Sequence, residues 1–194
     1  KFIPVDSEHF SIWSLINNDK YEDFDKVYLT ASGGPFRNYP LSQFKDITPI
    51  LQDPKLFNFV IDSFYMRYKD KNIDAVVGID SRGFIFGAPL ALKLNCSFVL
   101  ARKKGKLPFK SISAEYELEY GKDSIEMHID AIKPEENVLI IDDLLATGGT
   151  SKAVIELVRK LNGKIFEISY LIELVDLNGS AQLGDVEKFS LVQF

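Results

Sequence analysis

The chain of 194 residues has one cysteine and two histidines, and these small numbers argue against two kinds of site. Its single cysteine, Cys96, cannot form an internal disulfide, which is typical of a reducing compartment and predicts a cytoplasmic location. The histidines, His9 and His128, have no partner at metal-ligand spacing, so the sequence argues against a zinc site.

The sequence also lacks long apolar runs and an excess of basic residues. No run reaches the roughly 18 apolar residues of a membrane-spanning helix, and the N-terminus has no apolar segment of the signal-peptide kind. With 23 basic against 28 acidic residues the net charge is -5, whereas nucleic-acid-binding proteins generally carry a basic excess. We therefore expect neither a membrane nor a nucleic acid as partner.

The chain does contain a regular alternation of strand and helix patterns. A first helix is predicted at 7–19, followed by an irregular segment rich in glycine, proline and aromatic residues. Asp53 is a predicted N-cap, and Pro54 suits the first position of the next helix. Further helices are predicted at 83–95 and 150–161, and strands at 74–80, 97–102, 137–142, 164–174 and 189–193. This alternation predicts an α/β domain with a mostly parallel central sheet flanked by helices.

One segment, from residue 112 to residue 130, breaks the alternation and is predicted to form a β-hairpin. Apolar and polar residues alternate in its second half, so His128 is expected to face solvent. The turn is predicted at Gly121–Asp123, and we expect the hairpin to be an appendage of the sheet. The residues predicted to face inward are Ile125, Met127 and Ile129.

The most informative stretch is VLIIDDLLATGGT, residues 138–150, in which an apolar strand runs into two aspartates and then two glycines. Asp142 and Asp143 could hold magnesium in an ATPase. That interpretation requires a P-loop, and its pattern occurs nowhere in the chain. The dinucleotide pattern G-x-G-x-x-G is absent as well, which disfavours a nucleotide fold of that kind.

The loop by itself predicts a phosphate site. Gly148 and Gly149 allow the backbone to approach a ligand closely, and Thr147 and Thr150 add hydroxyl donors. The helix that starts near Thr150 directs its free N–H groups at the loop. The aspartates would repel phosphate, but they can accept hydrogen bonds from sugar hydroxyls. The simpler alternative, a helix N-cap with two acids beside it, explains less of the pattern.

The same stretch resembles the phosphoribosyl-pyrophosphate (PRPP) motif of type I phosphoribosyltransferases. Further blocks, GIDSRGFIFGAPLALKL, RKKGKLP, YELEYGKDSIEMHIDAI and LIEL with LNG, are together similar to the adenine phosphoribosyltransferase family over most of residues 45–194. The resemblance implies the type I phosphoribosyltransferase fold with a β-hairpin flexible loop and a small N-terminal hood. It implies a first helix and base-binding hood at 1–50, and a PRPP-binding core at 51–194 that includes a hairpin lid at 104–130.

The resemblance further implies a reaction and a set of site residues. PRPP would transfer its 5-phosphoribosyl group to adenine, giving AMP and pyrophosphate in purine salvage. Glu119 in LEYG would handle the proton at purine N7, and Tyr120 would help close the site. The ribose and its 5′-phosphate would be bound by Asp142, Asp143, Ala146, Thr147, Gly148, Gly149 and Thr150. The pyrophosphate would be bound by Ser81, Arg82, Arg102, Lys103 and Lys106, and adenine by Gln43, Phe44, Lys45 and Phe84.

Magnesium and a homodimer are also implied by the resemblance, together with PRPP and adenine as small-molecule partners. Magnesium would be held mainly by PRPP and water, without direct protein ligands. In the family the residue at Arg102 can act across the dimer interface, and a cis peptide is often found near Asp80–Ser81.

The base-binding segment, PLSQFKDI at 40–47, departs from the family pattern. Leu41 stands where glycine is expected, and Lys45 stands where arginine is common. Two alternatives therefore stay open. One is a phosphoribosyltransferase for another base; the other is a non-catalytic PRPP-sensing regulator, which the acidic charge and the lack of a spare helix-turn-helix region disfavour.

Overall fold

The computed structural model describes residues 46–118 and 121–194, and the compact unit that contains nearly all of them runs from Thr48 to Phe194. Its helices are α1 (Thr48–Gln52), α2 (Pro54–Tyr68), α3 (Gly83–Leu94) and α4 (Gly149–Lys160). Its strands are β1 (Ala75–Ile79), β2 (Ser97–Lys103), β3 (Ser111–Leu118), β4 (Gly121–His128), β5 (Asn137–Leu145), β6 (Lys164–Glu173) and β7 (Lys188–Gln193). Two short 3₁₀ turns, Val175–Leu177 and Gly179–Gln182, lie between β6 and β7.

The seven strands form one sheet in the order β3-β4-β2-β1-β5-β6-β7. The five strands from β2 to β7 in that order are parallel, and β4 and β3 are antiparallel to their neighbours. Every residue of β1 is buried, as continuous apolar strands in the middle of a parallel sheet require. The predicted α/β class and mostly parallel sheet are confirmed.

Helix α2 begins and packs as its sequence predicts. The Asp53 carboxylate accepts hydrogen bonds from the backbone N–H groups of Lys55 at 2.8 Å and Leu56 at 3.3 Å. Pro54 occupies the first turn, where its missing N–H has no intrahelical partner to lose. The buried face consists of Val60, Ile61, Phe64 and Tyr68. Among the described residues, no helix is both long enough and apolar enough to cross a membrane.

The hairpin has its strands where the alternation predicts them, but the predicted turn is wrong. Strands β3 and β4 pair from Ser111 opposite His128 to Leu118 opposite Gly121, so the residues of Gly121–Asp123 belong to the ladder. A connection of two residues is enough to join antiparallel strands, and the turn-forming residues are therefore free to pair. The two connecting residues, Glu119 and Tyr120, lie outside the described residues.

Burial along β4 follows the predicted alternation only as far as the strand continues. Ile125 and Met127 are buried, whereas Ile129 is 44% exposed because it lies beyond the end of the strand. His128 points away from the core as predicted, but the ring of Phe109 stacks against it with a centroid distance of 6.2 Å. The inward assignment of Ile129 is therefore wrong.

The hairpin is continuous with the sheet, so its description as an appendage is also wrong. Strand β4 pairs with the end of β2, with Arg102 opposite Glu126 and Lys103 opposite Ile125. Its inner face joins the hydrophobic core that β1, β5 and α4 share. The reason is the buried alternation of β3 and β4, which provides an apolar face that must be covered.

A polar cluster ties α2 to β6. Arg67 donates two hydrogen bonds to the Glu167 carboxylate, at 2.8 and 2.6 Å, and its guanidinium lies 3.9 Å from the ring centre of Phe189. The buried Tyr68 hydroxyl donates to the same carboxylate and also contacts Ser169. Glu167 is itself buried, so the loss of its charge would leave these donors without an equivalent acceptor.

We expect the Glu167→Gln variant to lose roughly 1–3 kcal/mol of unfolding free energy, because a charge-assisted bidentate pair is replaced by neutral hydrogen bonds. Urea unfolding followed by circular dichroism measures the loss. Glu135→Gln is the matched control, since Glu135 pairs with Lys164 at 2.5 Å but both side chains are more than half exposed. A control loss as large as that of Glu167→Gln would contradict the role of the cluster.

Candidate functional site

Two aspartates lie at the carboxyl end of β5, at the edge of the sheet where ligands of α/β proteins bind. Asp143 is 3% exposed, and Asp142 is partly exposed on the other face of the strand. The backbone N–H of Asp143 donates to the Asp142 carboxylate at 2.9 Å. Strand β5 continues to Leu145, three residues further than its sequence predicts, so both carboxylates are held by regular β structure.

Burial is the main cause that shifts the pKa values of this pair. Burial raises the pKa of Asp142 well above its usual range, and the adjacent charge of Asp143 raises it further. Burial also raises the pKa of Asp143, although the neighbouring Arg82 guanidinium opposes that increase. The folded chain therefore keeps two carboxylates in a place where their charges are costly, which is a frequent property of functional sites.

Arg82 is the cation nearest this pair. Its Nε lies 3.0 Å from Oδ2 of Asp143. This contact is an ion pair rather than an aligned hydrogen bond, because Oδ2 is buried and has no hydrogen-bond donor among the described residues. Gly83 makes the approach possible, since a Cβ at this position would come within 2.6 Å of the Ile141 carbonyl oxygen. The loop after β1 thereby touches the end of β5.

The predicted phosphate loop connects β5 to α4. Gly148 caps the helix in the left-handed region, with φ of 81°. The first three N–H groups of α4 have no partner within the helix, and they face the loop. The Tyr170 hydroxyl donates to Ser151 at 2.8 Å, which fixes the first turn of α4 against β6. The loop and helix start line a shallow cavity of about 90 Å³, formed by Asp142, Leu144, Leu145, Ala146, Thr147, Gly148, Gly149, Thr150 and Ser151.

A glycine outside the motif completes this loop. A Cβ on Gly179 would collide with the carbonyl oxygen of Ala146, and a Cβ on Gly148 would collide with the carbonyl oxygen of Gly179. Gly179 belongs to the LNG block, which the sequence comparison includes without assigning it a role. The main-chain segments around Gly148 and Gly179 therefore lie so close together that neither position can hold a residue with a side chain.

The basic residues at the end of β2 are held by Asp80, which follows the last residue of β1. The Asp80 carboxylate accepts the Lys103 backbone N–H at 3.2 Å and lies 3.5 Å from Nε of Arg102. Arg102 also donates to the carbonyl oxygen of Lys106 at 3.1 Å, which folds the basic loop onto itself. The Asp80–Ser81 peptide bond is cis, as the resemblance implies. Asp80 is a positioning residue that motif reasoning missed.

The described part of the site brings two predicted groups together. Asp142, Asp143 and residues 146–150 form one continuous edge, and Ser81 and Arg82 lie next to it. Phe84 lies in the first turn of α3, where its ring packs edge-on against Phe98 at a centroid distance of 6.1 Å. The remaining predicted residues, Gln43, Phe44, Lys45, Glu119 and Tyr120, lie outside the described residues. Within 46–118 and 121–194, no group of three or more His, Cys, Asp or Glu residues could hold a metal ion.

Comparisons with known proteins identify one family over most of the chain. The family model of the phosphoribosyl transferase domain matches residues 46–188. Adenine phosphoribosyltransferase of Caldicellulosiruptor saccharolyticus is 57% identical over 159 residues, 81% of this chain and 91% of that protein. The solved adenine phosphoribosyltransferase of Thermoanaerobacter pseudethanolicus is 46% identical, with a TM-score of 0.75 over 77% of this chain and 87% of that one. The Saccharomyces cerevisiae enzyme, solved with an imino-altritol bisphosphate and adenine, is 42% identical, with a TM-score of 0.73 over 75% and 85% of the two chains.

The N-terminal segment has a second match. The family model of the 1-deoxy-D-xylulose 5-phosphate reductoisomerase C-terminal domain matches residues 2–56. Gln43, Phe44 and Lys45 therefore precede the phosphoribosyl transferase match, which starts at residue 46. Their assignment to the base stays a prediction.

The raised pKa of Asp142 predicts that Asp142→Asn stabilises the fold by about 1 kcal/mol above neutral pH. Protonation of the Asp142 carboxyl stabilises the folded state, and this contribution is complete at pH values below the unfolded-state pKa of about 4. The contribution is lost as the pH rises through the raised pKa of the folded state. The advantage of the Asp142→Asn variant over the wild type should therefore shrink as pH falls. Urea unfolding at a series of pH values from about 5 to about 9 measures this dependence.

Asp185→Asn serves as the control, because a hydrogen bond from Arg159 lowers the pKa of Asp185. Its stability effect should have the opposite sign and stay constant over this pH range, because a carboxyl whose pKa is lowered remains ionised throughout it. A stability difference between Asp142→Asn and the wild type that stays constant with pH would contradict the raised pKa.

We expect Gly179→Ala to weaken binding of ribose 5-phosphate at least about tenfold, because the added Cβ must displace Ala146 and the phosphate loop. Isothermal titration calorimetry measures the affinity. Gly184→Ala is the control: a Cβ there meets nothing within 4 Å, although its φ of 67° makes the change unfavourable for stability. Equal affinities of the two variants would show that the Gly179 contact does not shape the loop.

Proposed function

The chain belongs to the phosphoribosyl transferase family, and from this membership we propose that it transfers the 5-phosphoribosyl group of PRPP to adenine, giving AMP and pyrophosphate. The proposal rests on the loop 146–150, which follows the two aspartates of β5 and lines the same cavity as Asp142. This loop occurs in a chain that is 57% identical to an adenine phosphoribosyltransferase. The reaction is one of purine salvage. We place it in the cytoplasm and expect a homodimer, in which Arg102 of one protomer acts across the interface.

The edge formed by β5 and α4 is the proposed site for the ribose 5-phosphate part of PRPP. The N–H groups at the start of α4 and the threonine hydroxyls would donate to the 5′-phosphate. Asp142 and Asp143 would accept hydrogen bonds from the ribose hydroxyls. A hydroxyl would supply the buried Oδ2 of Asp143 with the donor that it lacks among the described residues.

The pyrophosphate is proposed to bind between the loops after β1 and β2. Negative charge grows on this group as it leaves, and Ser81, Arg82, Arg102, Lys103 and Lys106 would stabilise that charge. Asp80 keeps the main chain of Lys103 and the side chain of Arg102 in place, so the cations do not have to be ordered when the substrate arrives.

Magnesium fits this arrangement as a companion of the substrate. The described acidic residues provide two neighbouring carboxylates, Asp142 and Asp143, and Mg²⁺ commonly binds one or two carboxylates with water and phosphate oxygens. PRPP oxygens and water would supply most of the ligands, and the aspartates would contact the ion through water or the ribose. The ion would neutralise charge on the pyrophosphate.

Proton handling is proposed for Glu119 and Tyr120. Glu119 and Tyr120 follow Leu118 at the end of β3, and Glu119 would exchange the proton at N7 of adenine. The hairpin as a lid would exclude water from the reactive ribosyl carbon. Gln43, Phe44, Lys45 and Phe84 are the residues proposed to contact the base.

The base is tested with PRPP, magnesium and a panel of adenine, hypoxanthine, guanine and uracil. We expect AMP from adenine and little or no product from the other bases. Turnover of another base in preference to adenine would identify a different phosphoribosyltransferase. PRPP binding with no turnover of any base would instead indicate the regulator.

Glu119→Ala is expected to lower kcat by roughly 10²-fold while changing PRPP affinity little, because the proton is transferred only during the reaction. Steady-state kinetics and PRPP titration measure the two quantities separately. Glu117→Ala is the matched control, because it removes another carboxylate two residues earlier in the sequence. Full activity of Glu119→Ala, or an equal loss in both variants, would refute the assignment.

A further inference from the structure

Strand β4 is joined to the basic residues at the end of β2 by contacts that none of the roles above explains. The two strands pair antiparallel at this point, with Arg102 opposite Glu126 and Lys103 opposite Ile125. Lys103 is the last residue of β2, and its ammonium lies 3.8 Å from Oδ2 of Asp123 in β4. Strand β4 therefore lies directly beside the segment in which the basic residues are concentrated.

The chain leaves β2 through a tight turn formed by residues 103–106. The N–H of Lys106 donates to the Lys103 carbonyl oxygen at 3.2 Å, which closes the turn. Gly105 has a φ of 75°, the value that the third residue of a type II turn adopts. A Cβ at Gly105 would meet nothing within 4 Å, so glycine is needed here for its backbone conformation and not for space.

Two consecutive N–H groups of the turn donate hydrogen bonds to β4. The N–H of Lys104 donates to the Ser124 carbonyl oxygen at 3.1 Å, and the N–H of Gly105 donates to Oε2 of Glu126 at 3.0 Å. The Gly105 N–H belongs to the central peptide, which the closing hydrogen bond of a turn does not involve. A type I turn would rotate this peptide and direct its N–H away from β4. The Glu126 carboxylate therefore stabilises one orientation of the central peptide.

The turn also determines how two of the proposed pyrophosphate ligands lie relative to each other. Arg102 precedes the turn and Lys106 ends it, and Nη1 of Arg102 donates to the Lys106 carbonyl oxygen at 3.1 Å. A change in the shape of the turn therefore moves one cation relative to the other. Glu126 is partly buried, and its charge has the same sign as that of pyrophosphate, so a direct contact between the two is unfavourable.

We propose that Glu126 is a positioning residue for pyrophosphate. It holds the central peptide of the turn 103–106 and thereby sets the arrangement of Arg102 and Lys106 before the ligand binds. The inference rests on the proposed function only in taking these two cations as part of the pyrophosphate site.

Two substitutions separate the hydrogen bond of Glu126 from its charge. Glu126→Ala removes both, whereas Glu126→Gln removes the charge and keeps a carbonyl oxygen that can accept the Gly105 N–H. Isothermal titration calorimetry of the full chain with pyrophosphate and Mg²⁺ measures the affinity. We expect Glu126→Ala to bind pyrophosphate about tenfold more weakly than the wild type, the effect of one hydrogen bond. Glu126→Gln should bind at least as tightly as the wild type, because a nearby negative charge is removed.

Ribose 5-phosphate provides a readout that a general loss of stability would also change. Its proposed site lies at β5 and α4, so both variants should bind it with the affinity of the wild type. Glu115→Ala is the matched control on the same hairpin, because Glu115 lies 3.7 Å from Lys122 and both side chains are exposed. This control should leave the affinity for both ligands unchanged.

Amide hydrogen exchange at Gly105 tests the hydrogen bond directly and needs no ligand. The Gly105 N–H should exchange faster in Glu126→Ala than in the wild type, because its acceptor is lost. Glu126→Gln should retain the protection.

Equal pyrophosphate affinities of Glu126→Ala and Glu126→Gln would overturn the inference, because Glu126 would then act through its charge or not at all. A parallel loss of pyrophosphate and ribose 5-phosphate binding in Glu126→Ala would also overturn it, since that result indicates a loosened fold. The expected difference between the two variants, together with a wild type that forms no AMP, would support the inference and refute the proposed function. A wild type that does not bind pyrophosphate would refute both.

Discussion

The site depends on two consecutive carboxylates that the fold holds where their charges are costly. Asp142 and Asp143 belong to one strand, so the β5 ladder fixes the main chain at both positions. Burial makes each charge less favourable, and the nearby Arg82 compensates only part of that effect. A ligand with hydroxyl donors and a bound cation therefore finds the two carboxylates already in position to interact with it.

Three loops at one edge of the sheet are connected by contacts that do not involve the substrate. Arg82 joins the loop after β1 to β5, Asp80 joins it to the end of β2, and Asp123 joins the end of β2 to the hairpin. Each contact is between a carboxylate and a cation or N–H group. The arrangement explains how an acidic chain maintains a basic region, because the basic residues of that region are held by individual acids rather than by the overall charge.

The sequence predicts the fold well because strands and helices here follow local patterns. Val60, Ile61, Phe64 and Tyr68 recur at helical spacing and are all buried, and β1 and residues 138–141 of β5 are continuous apolar runs. The turn at Gly121–Asp123 is mispredicted because glycine and aspartate favour turns locally, whereas pairing with β3 decides their conformation. Cross-strand partners are distant in sequence, and a local pattern contains no information about them. The attachment of the hairpin to β2 is missed for the same reason.

The loop chemistry is likewise predictable from VLIIDDLLATGGT, whereas the supporting residues are not. Asp80 and Gly179 have no pattern of their own, because their roles come from what lies opposite them in space. Most of the predicted site residues lie in the part of the chain that the structure describes. Glu119 and Tyr120 connect two strands, and Gln43, Phe44 and Lys45 precede the described part, so their roles stay predictions.

The contact between Gly148 and Gly179 has an evolutionary consequence. Main-chain oxygens make the closest approaches at both positions, nearer than the side-chain atoms of Gln182 and Leu145. A substitution at either glycine therefore cannot be compensated by shortening a neighbouring side chain, because the obstructing oxygens belong to the backbone. A segment far from the motif in sequence is thus under the same constraint as the motif itself.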